Sequence, residues 1–347
     1  MDIRNNQKRN RLIALSFASV LLLLVYGPLA PWFLTADRFL YDTFSSGLPN
    51  RPLDNAFIIS IDPSRASHDE ILEEYGQVIA VLTRSQAGRI IMPHPPELGP
   101  DERLPGWAAA FGGPVPVYVP NNHRLAEMTP NTGFMDFRPD DDGVLRRAGL
   151  WQLDGASMSP SLALAVALDN ENLPPSRRMS VSDDTVYLSN YKELPRVPVD
   201  EILFGDFAST RLNGATIFVD HEPALVGASA VLPSGQFVTR SELTAALIAD
   251  LETDRGILLP AWVSALQWLA PALLAILAVL FLPERGRRNI GVICVATIVG
   301  LLLTEMLFLY VLRVRFDIGR ATLIFIGVGM LSLWLAGNPR KATQDAF

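Results

Sequence analysis

Asp62 stands where a short isoleucine-rich run, Phe57–Ile61, meets Pro63. A carboxylate at the end of a buried strand lies at the edge where α/β sheets bind ligands, so it reads as a ligand or cation contact. The alternative is an aspartate that caps the turn through Pro63. Asp140, Asp141 and Asp142 supply the clustered oxygens that a hard cation takes. Calcium-loop spacing fails, because Arg138 occupies a position that needs an acid or Asn, and Arg146 and Arg147 follow closely enough to neutralise the acids. The run reads as a solvated hairpin turn. His68, His94, His123 and His221 are scattered, with no pair at ligand spacing on one element. No metal and no cofactor is expected. The sequence holds no Gly-x-Ser-x-Gly elbow, phosphate loop or zinc-protease helix, so no catalytic residue is assigned and the chain is not read as an enzyme. Cys294 is the single cysteine, which excludes an intramolecular disulfide.

Charge is divided along the chain. Residues 35–259 carry 17 Lys and Arg against 31 Asp and Glu, while the remainder carries 12 against 5. A basic minority joined to an acidic majority argues against nucleic acid as a partner and for a membrane protein with a large soluble insertion. Four apolar stretches are long enough for a bilayer core of roughly 30 Å. The first is uncharged from Leu12 to Ala36, with the span placed at 12–34 and read as an uncleaved anchor. The others are 258–282, 290–312 and 321–337, the last short but sufficient.

These bounds leave a tail at 1–11, a soluble domain at 35–257, loops at 283–289 and 313–320, and a tail at 338–347. Arg4, Lys8, Arg9 and Arg11, then Arg285, Arg287 and Arg288, then Arg340 and Lys341 fall on one side of an even number of spans. Positive flanks assign that side to the cytoplasm and the soluble domain to the outside, although Arg313, Arg315 and Arg320 violate the rule locally. The cysteine-free acidic domain fits a bacterial periplasm and an inner-membrane location.

Glu305 interrupts the third span. An ionisable group at a helix centre costs about 2.5–3.5 kcal/mol to insert. Lying roughly 10 Å below the outer boundary, it is open to snorkelling outward, protonation, pairing with Arg313, Arg315 or Arg320, or facing Gln267. A structural role in the bundle is expected ahead of transport or gating.

Within the soluble domain, Phe57–Ile61 predicts a buried strand and His68–Gln86, capped by Ser67, an amphipathic helix. Arg89–Met92 completes a βαβ unit. A short helix near Trp107 and a strand at Pro116–Val119 follow. Gly133–Phe137 and Val144–Leu153 read as strands flanking the turn at 138–143. A helix is expected from Ser159-Pro160 to Asp169, strands at Met179–Val181, Thr185–Leu188 and Thr216–Val219, and an amphipathic helix at Ser241–Leu251. The proline-rich run Pro93–Pro116 reads as a partner-facing surface loop. The fold class is a membrane protein: a mixed α/β extracytoplasmic domain flanked by one N-terminal and three C-terminal transmembrane helices.

These segments, in this order, resemble the type 2 CHASE domain family, the cyclase and histidine-kinase associated sensory extracellular domains. Asp37-Arg-Phe-Leu-Tyr-Asp42 is similar to the family's juxtamembrane acidic and aromatic segment, and Ile61-Asp62-Pro63-Ser64 to its strand end. Gly133-Phe-Met-Asp136 and Asp140-Asp-Asp-Gly-Val-Leu-Arg-Arg147 resemble its glycine-containing strand and Asp-Gly-Val-x-Arg-Arg turn. Pro160-Ser-Leu-Ala163, Leu212–Val219 and Glu242-Leu-Thr-Ala245 also fit. The chain departs from the pattern at Arg65–Asp69, where the family has a Trp-Pro-Trp-x-Arg-like segment, and at Met92-Pro-His94, where its second strand ends near an aspartate. Asp220 stands in place of a glycine and Thr244 in place of a histidine.

The resemblance implies a sensory receptor-like subunit. With Asp62, the motif residues Ser64, Asp136 and Arg146 make up the expected ligand-binding set. Since the family's usual effector would follow the last span, and ten residues follow Gly337 here, signalling is expected through a separate effector protein. The alternative is a structural or adaptor subunit of an envelope complex with a degenerate ligand site. Expected partners are the lipid bilayer, that second protein, and a further copy of the chain in a homo-oligomer.

Overall fold

The computed structural model describes residues 3–49, 52–62, 67–99, 103–154, 157–169, 185–205, 207, 209–221, 230–253, 255–283 and 285–337. They divide into two compact units, one from residues 1–44 and 259–347 and the other from 45–258. The first unit opens with α1 (Ile3–Tyr26) and α2 (Ala30–Ser45). The span expected as one helix over 12–34 is therefore interrupted at 27–29. Pro28 has no N–H to continue the ladder and its ring clashes with the preceding turn. The Leu29 N–H reaches back to the Leu24 carbonyl at 2.9 Å, closing α1 with a wider turn.

The second unit begins with β1 (Ala56–Ser60), the isoleucine-rich run. It leads into α3 (His68–Arg84), whose start is a reciprocal capping box. The Glu70 N–H donates to Ser67 Oγ, and the Ser67 N–H donates to Glu70 Oε2 at 2.6 Å. Tyr75, Val78, Ile79 and Leu82 form the buried face of α3, at helical spacing. Next come β2 (Arg89–Ile91), a 3-10 helix at Gly106–Gly112, β3 (Val117–Pro120) and β4 (Thr132–Gly133).

The chain continues through β5 (Arg147–Gly149), β6 (Trp151–Asp154), β7 (Ser157–Pro160) and α4 (Leu162–Leu168). After β8 (Thr185–Tyr187) and β9 (Arg196–Pro198) come α5 (Val199–Leu203), α6 (Ser209–Leu212) and β10 (Thr216–Asp220). The unit closes with β11 (Ala230–Val231), β12 (Phe237–Val238), α7 (Arg240–Glu252) and β13 (Ile257–Leu258).

A six-stranded sheet in the order β4-β3-β2-β10-β1-β9 organises this unit, and every pairing in it is parallel. Alternate residues of its strands enter opposite cores. Ile58, Ile91, Tyr118 and Phe218 pack with α4 and α7, while Ile59, Ile90, Val117, Val119, Ile217 and Val219 pack with α3, the 3-10 helix and α5. Both faces are covered, as a parallel sheet requires. All six strands thus end along one edge.

Several expectations change. Gly133–Phe137 and Val144–Leu153 do not pair as a hairpin. Thr132 and Gly133 align in parallel with Val119 and Pro120, and Val144–Leu153 splits into β5, antiparallel to β8, and β6, antiparallel to β7. Arg146 turns the intervening segment onto itself through its bonds to Asp140 and Asp142, and the polypeptide leaves towards β8. The helix expected from Ser159 starts at Leu162, because Ser157–Pro160 pair with β6 and Ser161 supplies the cap. The helix expected as amphipathic, α7, is buried on nearly every side, with alanines letting it lie close to its neighbours. The strand expected at Met179–Val181 lies outside the described residues. Pro93, Pro95 and Pro96 are buried rather than displayed, so the first part of the proline-rich run is not a surface loop.

The first unit resumes with α8 (Ala261–Phe281), α9 (Arg287–Leu307) and α10 (Gly319–Gly337). Among the described residues, four helical stretches are long and apolar enough to cross a membrane: Lys8–Tyr26, Trp262–Phe281, Arg287–Leu312 and Gly319–Ala336. Ala14, Ala18, Ala275 and Ala278 face Ile324, Phe325 and Val328 in their core, small residues letting helices approach where no hydrophobic force drives them together.

Candidate functional site

Because the strands are parallel, the loops after β2, β3 and β4 meet at one edge. With the start of α7 they line a cavity of about 450 Å³, within the range of small-molecule sites. Pro93, His94, Pro95 and Glu97 come from the loop after β2, Pro120 ends β3, and Asn122 and His123 follow it. Met135, Asp136 and Phe137 follow β4, and Arg240 opens α7. A second concavity shares Asn122, Met135 and Asp136 and extends past Arg138 and Gln152. A larger, more open hollow lies at Arg84–Gln86, Thr210 and Asn213, before β2 and β10. That is the opposite edge, where strand ends do not converge on a ligand.

The histidines play unequal parts. His123 Nδ1 accepts from the Leu125 N–H at 3.1 Å, which leaves Nε2 to donate to the Pro96 carbonyl at 3.1 Å. Both ring nitrogens are thereby used by the backbone, the tautomer is set, and burial holds the ring's pKa below its ordinary value. His123 shapes the wall. Its bond to Pro96 also explains why the start of the proline run turns inward.

His94 stacks on His221 with centroids 4.7 Å apart, and Tyr75 Oη lies 2.9 Å from His221 Nδ1. Trp107 stacks on Tyr75 in turn, over Gly76, where any Cβ would come within 2.6 Å of the indole. Burial, and then the neighbouring His94, push the His221 pKa down to about 4, while burial and then Arg240 lower that of His94. The stack is therefore two neutral rings at neutral pH. Asp136 holds the exposed Arg138 at 2.8 Å across the cavity rim.

Of the expected ligand set, Asp136 lines the cavity. Asp62 lies just past β1, exposed, and is not among the lining residues. Ser64 lies outside the described residues. Arg146 is away from the cavity lining and only 3% exposed, and it bonds Asp140 at 3.0 Å and Asp142 at 2.8 Å. That pairing neutralises the acidic turn, as a buried guanidinium requires.

His94, Glu97, Asn122, His123, Phe137 and Arg240 were missed as a group. The signal was their shared place directly after strand ends, visible only once strand order is known. Thr244 is buried, its hydroxyl donating to the Arg240 carbonyl at 2.7 Å with Met135 Sδ at 3.8 Å. Among the described residues, no group of three or more His, Cys, Asp or Glu is placed to hold a metal ion.

Glu305 is buried in the helical unit, and among the described residues its Oε2 has no hydrogen-bond partner. Three of the groups considered for it make other contacts. Arg315 Nε donates to Asp317 at 2.8 Å, Gln267 donates to the Arg315 carbonyl, and Arg320 lies over the rings of Tyr26 and Trp268. Asp37, on α2, accepts from the Gly319 N–H at 2.8 Å and caps the start of α10.

No curated protein and no solved structure matches the chain. A family model does. It describes the CHASE2 domain, a sensory extracellular domain, and aligns with residues 16–282, from α1 through the whole sheet-bearing unit to the end of α8. The parallel sheet framed by membrane-length helices is thus a CHASE2 architecture, and the chain belongs to the CHASE2 domain family.

Proposed function

We propose that this chain is a membrane-embedded sensor subunit whose CHASE2 domain binds a small polar molecule in the cavity at the carboxyl edge of the sheet. The observation that carries the reading is the convergence there of loops after successive parallel strands, bringing Asp136, Glu97 and Arg240 around a concavity of ligand size. The chemistry is recognition rather than catalysis. Both nitrogens of His123 are committed to the backbone, and His221 is stacked and hydrogen-bonded out of reach of a reacting group. Proline and aromatic walls supply apolar contact, and acids and a guanidinium at the rim supply orientation. Ligand occupancy shifts the domain only by favouring one of two arrangements, and a separate effector protein reads the shift.

The test is a thermal-shift screen of the full chain in nanodiscs against small polar metabolites. A true ligand at about 100 times its Kd stabilises by about 2.7 kcal/mol. Asp136→Asn should abolish that shift while leaving the unliganded melting temperature close to wild type. Saturable stabilisation that survives Asp136→Asn, Glu97→Gln and Arg240→Gln alike would remove the cavity from the proposal. A chain that responds to nothing yet co-purifies in fixed ratio with envelope proteins is an adaptor.

A further inference from the structure

On α1, Lys8, Arg11, Leu12 and Leu15 follow the three- and four-residue spacing of a single helix face, cations first and leucines after. They face Ile276 and Leu280 of α8 across a groove of about 450 Å³ whose walls are almost wholly apolar. Arg11 lies at its mouth, with Nη2 3.5 Å from the Leu280 carbonyl in the last turn of α8. Leu12 and Leu15 are 67% and 53% exposed and Ile276 is 52% exposed, so the groove opens outward from the bundle. Arg285 after α8 and Arg287 and Arg288 at the start of α9 add further exposed positive charge. From Lys8 to Leu15 the groove runs roughly 10 Å along the helix axis, starting in positive charge and ending in hydrocarbon.

We propose that this groove is a binding site for an anionic phospholipid. The phosphate and its net negative charge meet Lys8 and Arg11, and an acyl chain lies along Leu12, Leu15 and Ile276. A groove on the outer face of a membrane bundle is filled by lipid in any case. Selection of an anionic one comes from the positive charge at its mouth, where Lys8 is exposed beside Arg11. The site is independent of the sensory cavity and does not require the sensor reading to hold.

The test is native mass spectrometry of the full chain released from nanodiscs of equal phosphatidylglycerol and phosphatidylethanolamine. Phosphatidylglycerol should be retained preferentially. Lys8→Gln should weaken retention about fivefold, the effect of about 1 kcal/mol per basic residue. Arg9→Gln, which removes the same charge outside the groove, should leave it unchanged, and Leu15→Trp should reduce it by filling the groove with the charge intact.

Equal retention of the two lipids overturns the proposal. So does equal loss in Arg9→Gln, which means diffuse attraction, or full retention in Leu15→Trp, which places the lipid elsewhere. Inorganic phosphate that displaces the lipid at millimolar concentration also overturns it, because the site then recognises phosphate alone.

Discussion

The neutral imidazoles of His94 and His221 make the stability of the sheet-bearing unit depend on pH. His221 titrates at about 4 when folded against its ordinary 6.5, first because it is buried and then because His94 stacks on it. Its folded pKa is depressed, so the unfolded chain takes up the proton first as pH falls. Stability from the neutral ring is complete above about pH 6.5 and is lost as pH drops towards about 4. Between pH 6.5 and 5 the loss should be about 1 kcal/mol once the ring's partial exposure is discounted. His221→Gln, neutral throughout, should flatten the denaturant-derived stability curve over that window. Identical slopes in wild type and variant would mean that the stack does not control the pH response. Asp136 is legible in the sequence because it sits in a motif. His94 and Arg240 are not, since 146 positions separate them and only the fold brings the loop after β2 beside the start of α7.

Gly133 shows how one position sets the course of several elements. A Cβ there would fall 2.5 Å from the N and Cα of Leu162, so β4 lies directly against the start of α4. The obstruction is backbone, which no rotamer change relieves. Gly133→Ala should cost about 3 kcal/mol, the upper end for overpacking a close contact. Gly149→Ala is the matched control, because its Cβ would meet only the Phe134 ring at 3.6 Å, an ordinary contact. Melting of the two variants side by side checks the argument; equal stability would show that α4 shifts freely.

The same contact explains what was and was not legible among the elements. β1, α3, β2 and β10 announce themselves through local signals: apolar runs, a capping box, a break at Gly88. The hairpin over 133–153 failed because local turn chemistry at 138–143 is real, but Gly133 commits its strand to β3 and α4 instead. Short strands such as β9 and β13 carry two or three residues each and no periodicity to read.

In sequence, the sheet-bearing unit lies between the first and second of the four membrane-length helices found among the described residues, and four crossings would put both tails on one side. Charge decides which side. Arg4, Lys8, Arg9 and Arg11 lie at the start of the first helix and Arg285, Arg287 and Arg288 around the turn between the second and third, whereas Arg313, Arg315 and Arg320 lie around the turn between the third and fourth. Of those three, Arg315 is paired with Asp317 and Arg320 is held over aromatic rings, which lowers their weight as free positive charge. Under the positive-inside rule we expect cytoplasmic tails and an extracytoplasmic sensory domain. Cys294 is the single thiol, so a Cys294→Ser background accepts reporter thiols cleanly. In sealed right-side-out vesicles, Leu153→Cys, at a side chain 70% exposed, should react at once with a membrane-impermeant maleimide. Arg9→Cys and Arg288→Cys should react only after the vesicles are opened. The reverse pattern would invert the topology and leave the sensory domain facing the cytoplasm, and labelling of Arg9→Cys and Arg288→Cys on opposite sides would remove one of the four crossings.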